Sequence, residues 1–211
     1  MYIAIEGVDT AGKSTQLTRL KRWFPEALFI REPGETPVGK RIREIVLTEQ
    51  LTPRGELLLF LADRAETIEQ AVRPALSRGR LIFSDRSLLS GIGYSFPFFP
   101  LPQLLELNRF ATGGLFPDLA ILLKLGRGEL ERRLRLKEGD RIEGRGVEYL
   151  LQVQAGIEKG AEKLGIELVV IDGEKPVEKV EREILEELEK RFHLWSGVHR
   201  RGLFRNRKGE K

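Results

Sequence analysis

Residues 7–15 read Gly7-Val8-Asp9-Thr10-Ala11-Gly12-Lys13-Ser14-Thr15 and fit the pattern G-x-x-x-x-G-K-[ST]. The pattern works only between a strand and a helix, so it dictates local structure on both sides. Both flanks are present. Tyr2-Ile3-Ala4-Ile5 is a short apolar run, and Gln16 to Phe24 carries a helical pattern. In this phosphate-cradling P-loop, successive backbone N–H groups turn inward and the helix N-terminus adds its positive dipole end. The expected ligand is a nucleoside triphosphate, cradled by Gly7, Asp9, Thr10, Ala11, Gly12, Lys13, Ser14 and Thr15. Lys13 is long enough to reach β- and γ-phosphates, and the Ser14 hydroxyl can ligate Mg²⁺.

Beyond the loop, apolar runs at 2–6, 27–31, 80–84, 118–124 and 167–171 alternate with helical stretches. Those stretches lie near 13–24, 38–49, 54–78, 101–112, 128–137, 146–164 and 176–192. Such alternation predicts an α/β fold: a five-stranded parallel sheet with helices on both faces, three layers in all. Ligands bind such sheets beyond the carboxyl ends of the strands. The helix over 176–192 begins next to Pro176 and repeats Val177, Val180, Ile184, Leu185, Leu188 and Phe192, an amphipathic cover for the sheet.

A chain of 211 residues suits one domain with a sizeable core. With no cysteine, disulfides, thiolate metal sites and cysteine nucleophiles are excluded. Glu6 and Asp9 interrupt the first apolar run, so no signal peptide is expected. No run approaches the length of a membrane span, which leaves the cytoplasm as the expected location. The net charge of +4 is unevenly spread: from Lys190 onward eight Lys/Arg face one Glu, so the preceding body is mildly acidic. Residues 193–211 form a basic tail after a domain at 1–192. The tail reads as a solvated extension or as a contact for an acidic partner, and nucleic acid is not the expected one. Trp195, Leu203 and Phe204 would also allow part of it to pack back. His193 and His199 lie in this tail and are poor candidates for catalysis or metal binding.

Several further groups fall at predicted strand ends. Leu81-Ile82-Phe83-Ser84-Asp85-Arg86 is a buried-strand signal closing on an acid that can hold Mg²⁺, with Arg86 placed to neutralise phosphate. A surface Asp–Arg turn would read the same in isolation. The second strand ends in Arg31-Glu32-Pro33-Gly34, leaving Arg31 at the ligand edge. Phe60 and Arg64 are four apart on one helix, an aromatic plate beside a bidentate donor. A core phenylalanine with a solvated arginine is the alternative. Arg132-Arg133-Leu134-Arg135 runs toward Gly139 and suits a lid over about 132–146, or else a solvated face. Neither Asn108 nor Asn206 sits in an N-K-x-D setting, so a GTPase base site is missing, and no G-x-G-x-x-G opens the chain.

With these pieces in order, residues 1 to about 192 resemble the bacterial thymidylate kinases, which phosphorylate dTMP to dTDP with ATP. The likeness rests on the P-loop with its internal Asp9, R-E-P-G at 31–34, Phe60-Leu61-Ala62-Asp63-Arg64-Ala65, and Asp85-Arg86 followed by Ser90 and Tyr94. Pro117-Asp118-Leu119 and Asp140-Arg141-Ile142-Glu143 extend it. The resemblance implies Asp9 at the sugar 3′-hydroxyl, Phe60 stacked on thymine and Arg64 at its carbonyl edge. It implies Arg31 and Arg86 at the dTMP phosphate, Tyr94 under the deoxyribose, and Ser14 and Asp85 serving Mg²⁺. Ser90 belongs to the same substrate set. It also implies a homodimer through the 54–78 helix.

Some positions depart from the family pattern. Ser87 replaces a usual tyrosine, Ser95 a usual glutamine, Gly91 a polar residue, and Thr10 a glycine or arginine. Without an arginine in the P-loop, the resemblance implies that the lid supplies that charge. Arg132 and Arg135 are three apart and share a face, so they are the expected catalytic donors beside Lys13, Asp85 and Arg86. Arg133 is expected to point away, and Arg141 is the reserve candidate.

Overall fold

Five strands, all parallel, lie in the order β2-β3-β1-β4-β5. They are β1 Tyr2–Glu6, β2 Leu28–Arg31, β3 Ile82–Asp85, β4 Leu119–Lys124 and β5 Leu168–Asp172. This is a computed structural model that describes residues 1–136 and 145–194. Every residue of β1 is buried. That is why the strand reads as a continuous apolar run and not as an alternation, since helices cover both faces of the sheet. Ile3, Ile5 and Phe83 join the larger core with Leu20 and Phe24. Tyr2, Ile30 and Ile82 join a smaller one with Ile68, Val72 and Ala75.

The helices are α1 Lys13–Trp23, α2 Pro37–Thr48, α3 Pro53–Thr67, α4 Arg73–Ser77, α5 Leu88–Ser95, α6 Leu101–Thr112, α7 Arg127–Arg135, α8 Val147–Leu164 and α9 Val177–Phe192. Thr36 and Thr52 cap α2 and α3, each accepting from the backbone N–H three residues on, with proline in the first turn. The amphipathic α9 packs on α1, where Glu181 takes hydrogen bonds from Arg19 and from the Trp23 indole.

Two elements differ from the sequence expectation. The single helix expected over 54–78 opens into a π turn at Ile68–Val72. Pro74 follows at once; its ring lacks an N–H and would collide with the carbonyl four residues back, and the wider turn makes room for it. Helix α5 has no counterpart among the expected helices. Its sequence, Leu88-Leu89-Ser90-Gly91-Ile92-Gly93-Tyr94-Ser95, is buried on every side and so carries no amphipathic period. It crosses α8 so closely that a Cβ on Gly93 would stand 2.7 Å from the Val153 carbonyl, and one on Gly156 2.9 Å from the Gly93 Cα. The expected lid lies partly, and the basic tail almost wholly, outside the described residues.

Candidate active site

The loop after β1 is built as its sequence demands. Gly7 has φ 145°, and a Cβ there would lie 2.9 Å from the Leu123 carbonyl. Gly12 caps α1 at φ 94°. Between them Thr10 also takes a positive φ, 68°, which side-chain-bearing residues seldom adopt. The Lys13 ammonium is buried and donates to the Val8 carbonyl at 2.9 Å. Burial, with help from the Arg86 cation, lowers its pKa to about 8. An anion entering the loop would add to the countercharge that Asp9, Asp85 and Glu6 already give Lys13.

Ser14 donates to Asp85 Oδ2 at 3.2 Å. The other oxygen, Oδ1, is buried and has no hydrogen-bond partner among the described residues. An orphaned carboxylate oxygen beside a hydroxyl fits a hard divalent cation such as Mg²⁺, which takes one or two protein oxygens and completes its shell with water and phosphate.

Arg86 follows β3 at φ 73°, and the Ser84 hydroxyl donates to its carbonyl at 2.5 Å. Its guanidinium donates to the Gly7 carbonyl at 2.9 Å, to Asp9 at 2.5 Å, and to Ser90 and Tyr94 at 3.2 Å each. It lies 5.0 Å from the Tyr94 ring centroid. The Tyr94 hydroxyl in turn donates to Asp9, and burial raises its pKa. One arginine thus ties the P-loop to α5.

Glu6 completes this cluster and was not singled out from the sequence. It is fully buried and accepts from Ser87 at 2.5 Å and from Ser90. Burial raises its pKa. The available signal was an acid inside a strand whose other residues are apolar. Ser87 also caps α5 by accepting from the Leu89 N–H.

A cleft opens beside Arg86, and Asp9, Phe60, Arg64, Ser90 and Tyr94 line it as well. Of the substrate residues expected from sequence, only Arg31 lies apart. It borders an adjoining, more open cleft with Ser14, Asp85, Lys21 and Lys40.

Arg64 is only 3% exposed. Its Nε donates to Glu32 at 2.9 Å, and its two terminal nitrogens donate to Asn108 at 2.8 Å and to the Ser87 carbonyl at 3.3 Å. A Cβ on Gly91 would fall 2.7 Å from one of those nitrogens, so the missing side chain is what admits the guanidinium. Burial raises the Glu32 pKa to about 7, against the pull of Arg64. Asp63 accepts from the Gly34 N–H at 2.9 Å and fixes the turn after Glu32.

Arg43, another residue the sequence reading passed over, lines the same cleft and donates to the Pro33 carbonyl. Its pKa is lowered by burial and then by the Arg31 and Arg86 cations. Three guanidiniums close enough to repel one another make a receptor for a multiply charged anion.

The arginines of α7 correct the expected orientation. Arg133, expected to point away, donates to the Thr10 carbonyl at 2.7 Å and to the Gly173 carbonyl at 2.9 Å. Arg132 is held at the surface by Glu129 at 2.7 and 2.6 Å, and Arg135 is exposed. Spacing tells which residues share a face but not which face meets the loop. Arg141 lies outside the described residues.

Comparison with known proteins decides the family. The thymidylate kinase family model matches residues 5–184. The chain belongs to the thymidylate kinase family. It is 49% identical over 188 residues to the thymidylate kinase of Sulfurimonas denitrificans, covering 88% of this chain and 97% of that protein. It is 46% identical over 181 residues to that of Nautilia profundicola, covering 85% and 92%. The thymidylate kinase of Wolinella succinogenes is 48% identical over 186 residues, covering 88% and 96%. Within this family frame Ser87 and Gly91 have definite occupations here: the first caps α5 and binds Glu6, the second seats Arg64. No helix of the described residues is long and apolar enough to cross a membrane.

Proposed function

We infer that this chain transfers the γ-phosphoryl group of ATP to dTMP, giving ADP and dTDP. The observation that carries this reading is Arg86, whose hydrogen bonds join the triphosphate loop at Gly7 and Asp9 to the pocket of Tyr94 and Ser90. Two phosphate-binding regions that share one cation are what in-line transfer between nucleotides requires.

In this reading residues 7–15 hold the ATP phosphates, with Lys13 on the β- and γ-groups. Ser14 and Asp85 hold Mg²⁺, which when bound neutralises charge between the phosphates. Arg31, Arg43 and Arg86 receive the dTMP phosphate, whose anionic oxygen attacks without a strong base. Phe60 stacks on thymine and Arg64 donates to its carbonyl edge through hydrogens that Glu32, Asn108 and Ser87 do not use. Asp9 meets the 3′-hydroxyl and Tyr94 lies under the deoxyribose, where a 2′-hydroxyl would crowd it. Arg132 and Arg135 of α7, the donors expected from sequence, stand at the margin of this set, the first held by Glu129 and the second exposed, and contribute little to the transfer step. The kinase domain spans 1–192 with a lid at about 132–146, pairs through the helical segment at 54–78 and works in the cytoplasm, while the tail at 193–211 takes no part in chemistry.

A coupled assay of ADP release against dTMP, dUMP, dCMP, dGMP and thymidine tests the reading. We expect dTMP to be preferred, and Lys13→Ala to lower turnover on the order of 10²-fold or more because one preorganised phosphate donor is lost. Equal use of all five acceptors, or near-normal turnover by a folded Lys13→Ala protein, would overturn it.

A further inference from the structure

Thr10 is an uneasy residue at the centre of the loop. It sits at φ 68°, a region costly for a residue with a Cβ, and its buried hydroxyl has no partner among the described residues. Its carbonyl is the part that is held. Arg133 donates to it at 2.7 Å, and the other terminal nitrogen of that guanidinium donates to the Gly173 carbonyl at 2.9 Å. Gly173 is itself fixed, its N–H donating to Lys124 at the end of β4. The Arg133 Nε donates to Glu129 at 2.5 Å, one turn back on α7. All three nitrogens of the side chain therefore have partners, on three separate segments.

We propose that Arg133 is a positioning residue for the phosphate loop, holding Thr10 in its left-handed conformation so that the anion cradle is formed before ATP arrives. Were Thr10 to relax toward an ordinary backbone conformation, its carbonyl would swing off Arg133. The Gly12–Thr15 half of the loop would then shift against the Gly7–Asp9 half, and the inward N–H groups would no longer converge. A glycine at position 10 adopts the same conformation without strain and carries no hydroxyl to bury. The need for Arg133 is thus a consequence of Thr10, and the two residues should be energetically coupled.

This rests on ATP being the ligand of the loop; if that were wrong, the wild-type protein itself would show no ATP-dependent turnover. The test is a cycle of wild type, Thr10→Gly, Arg133→Ala and the double variant. KM for ATP, KM for dTMP, kcat and ADP affinity by calorimetry are read for each. We expect Arg133→Ala to raise KM for ATP and weaken ADP by about tenfold, the size of one lost charged hydrogen bond, with KM for dTMP unchanged and kcat within about threefold. In the double variant most of that loss should disappear. An unchanged KM for ATP in folded Arg133→Ala would overturn the proposal. So would a double variant as impaired as Arg133→Ala, because Arg133 would then act on the nucleotide directly. Arg133→Lys keeps the charge but cannot span both carbonyls, so it should fall between wild type and alanine. Full activity there would mean that charge alone suffices, against the proposal. If Arg133→Ala fails to fold, Arg133→Lys with and without Thr10→Gly decides the same question.

Discussion

Arg64 and Arg132 were both expected to touch a substrate, and the fold treats them in opposite ways. Arg64 is buried and bound to Glu32, Asn108 and the Ser87 carbonyl before any ligand arrives. Arg132 stands at the surface with its side chain 60% exposed and Glu129 as its partner. Around Arg64 and Arg86 the fold has already removed water and fixed the donors, so binding there orders little. Around Arg132 nothing is fixed except a surface pair of small net worth. The acceptor side of the cleft is prebuilt. The outer donor side is left for the ligand to organise, and Arg133 is the α7 arginine that hydrogen-bonds the P-loop among the described residues.

The prebuilt side breaks most readily at Gly91. In Gly91→Ala the new methyl would fall 2.7 Å from an Arg64 nitrogen that already donates to Asn108. The tip of an arginine is mobile in principle, but this one has three partners to lose. We expect KM for dTMP to rise about tenfold or more, the loss of at least one charged hydrogen bond, with KM for ATP unchanged. Steady-state kinetics on the folded variant checks this, and an unchanged KM for dTMP would mean the guanidinium has room to spare.

A smaller and more informative effect belongs to Glu32. Its pKa rises from the ordinary 4.5 to about 7, so between those values the folded protein binds a proton that the unfolded chain releases. The fold therefore loses stability from this group as pH rises through that window. Ionised Glu32 grips Arg64 more firmly, so KM for dTMP should fall severalfold as pH rises from about 6 to 8. Glu32→Gln should flatten both dependences. Ionisation of the dTMP phosphate shifts wild type and variant alike and cancels in the comparison. Parallel melting curves and pH profiles for the two proteins would sink the assignment.

How much was legible in the sequence follows from how local each feature is. The P-loop, Asp85-Arg86 and the alternation of strands with helices are short-range patterns, and the sequence shows them with little error. Glu6 escapes a sequence reading because its meaning depends on Ser87 and Ser90, some 80 residues away and on a helix without a period. Gly91 looks like a mere departure from the family until Arg64 is seen lying against it. The α7 arginines show the limit most clearly. Residues 132 and 135 do share a face, as their spacing requires, but the rotation of the helix is set by Leu130, which is fully buried. That packing turns Arg133 inward.

The smallest effect is expected from Arg132, and it tests the comparison from its weak side. Glu129 takes hydrogen bonds from Arg132 and Arg133, and these lower its pKa to about 2. Removing Arg132 leaves Glu129 still paired with Arg133, so neither the carboxylate nor the P-loop contact is orphaned. A surface pair of this kind is screened by solvent and contributes little net stability. Arg132→Ala should therefore barely change the melting temperature, and kcat should fall by no more than about threefold. Single-turnover kinetics would separate this from any effect on product release. A tenfold slower chemical step would show that Arg132 leaves Glu129 to meet the transferring phosphoryl group, and the outer donor side would then serve catalysis as directly as the buried one.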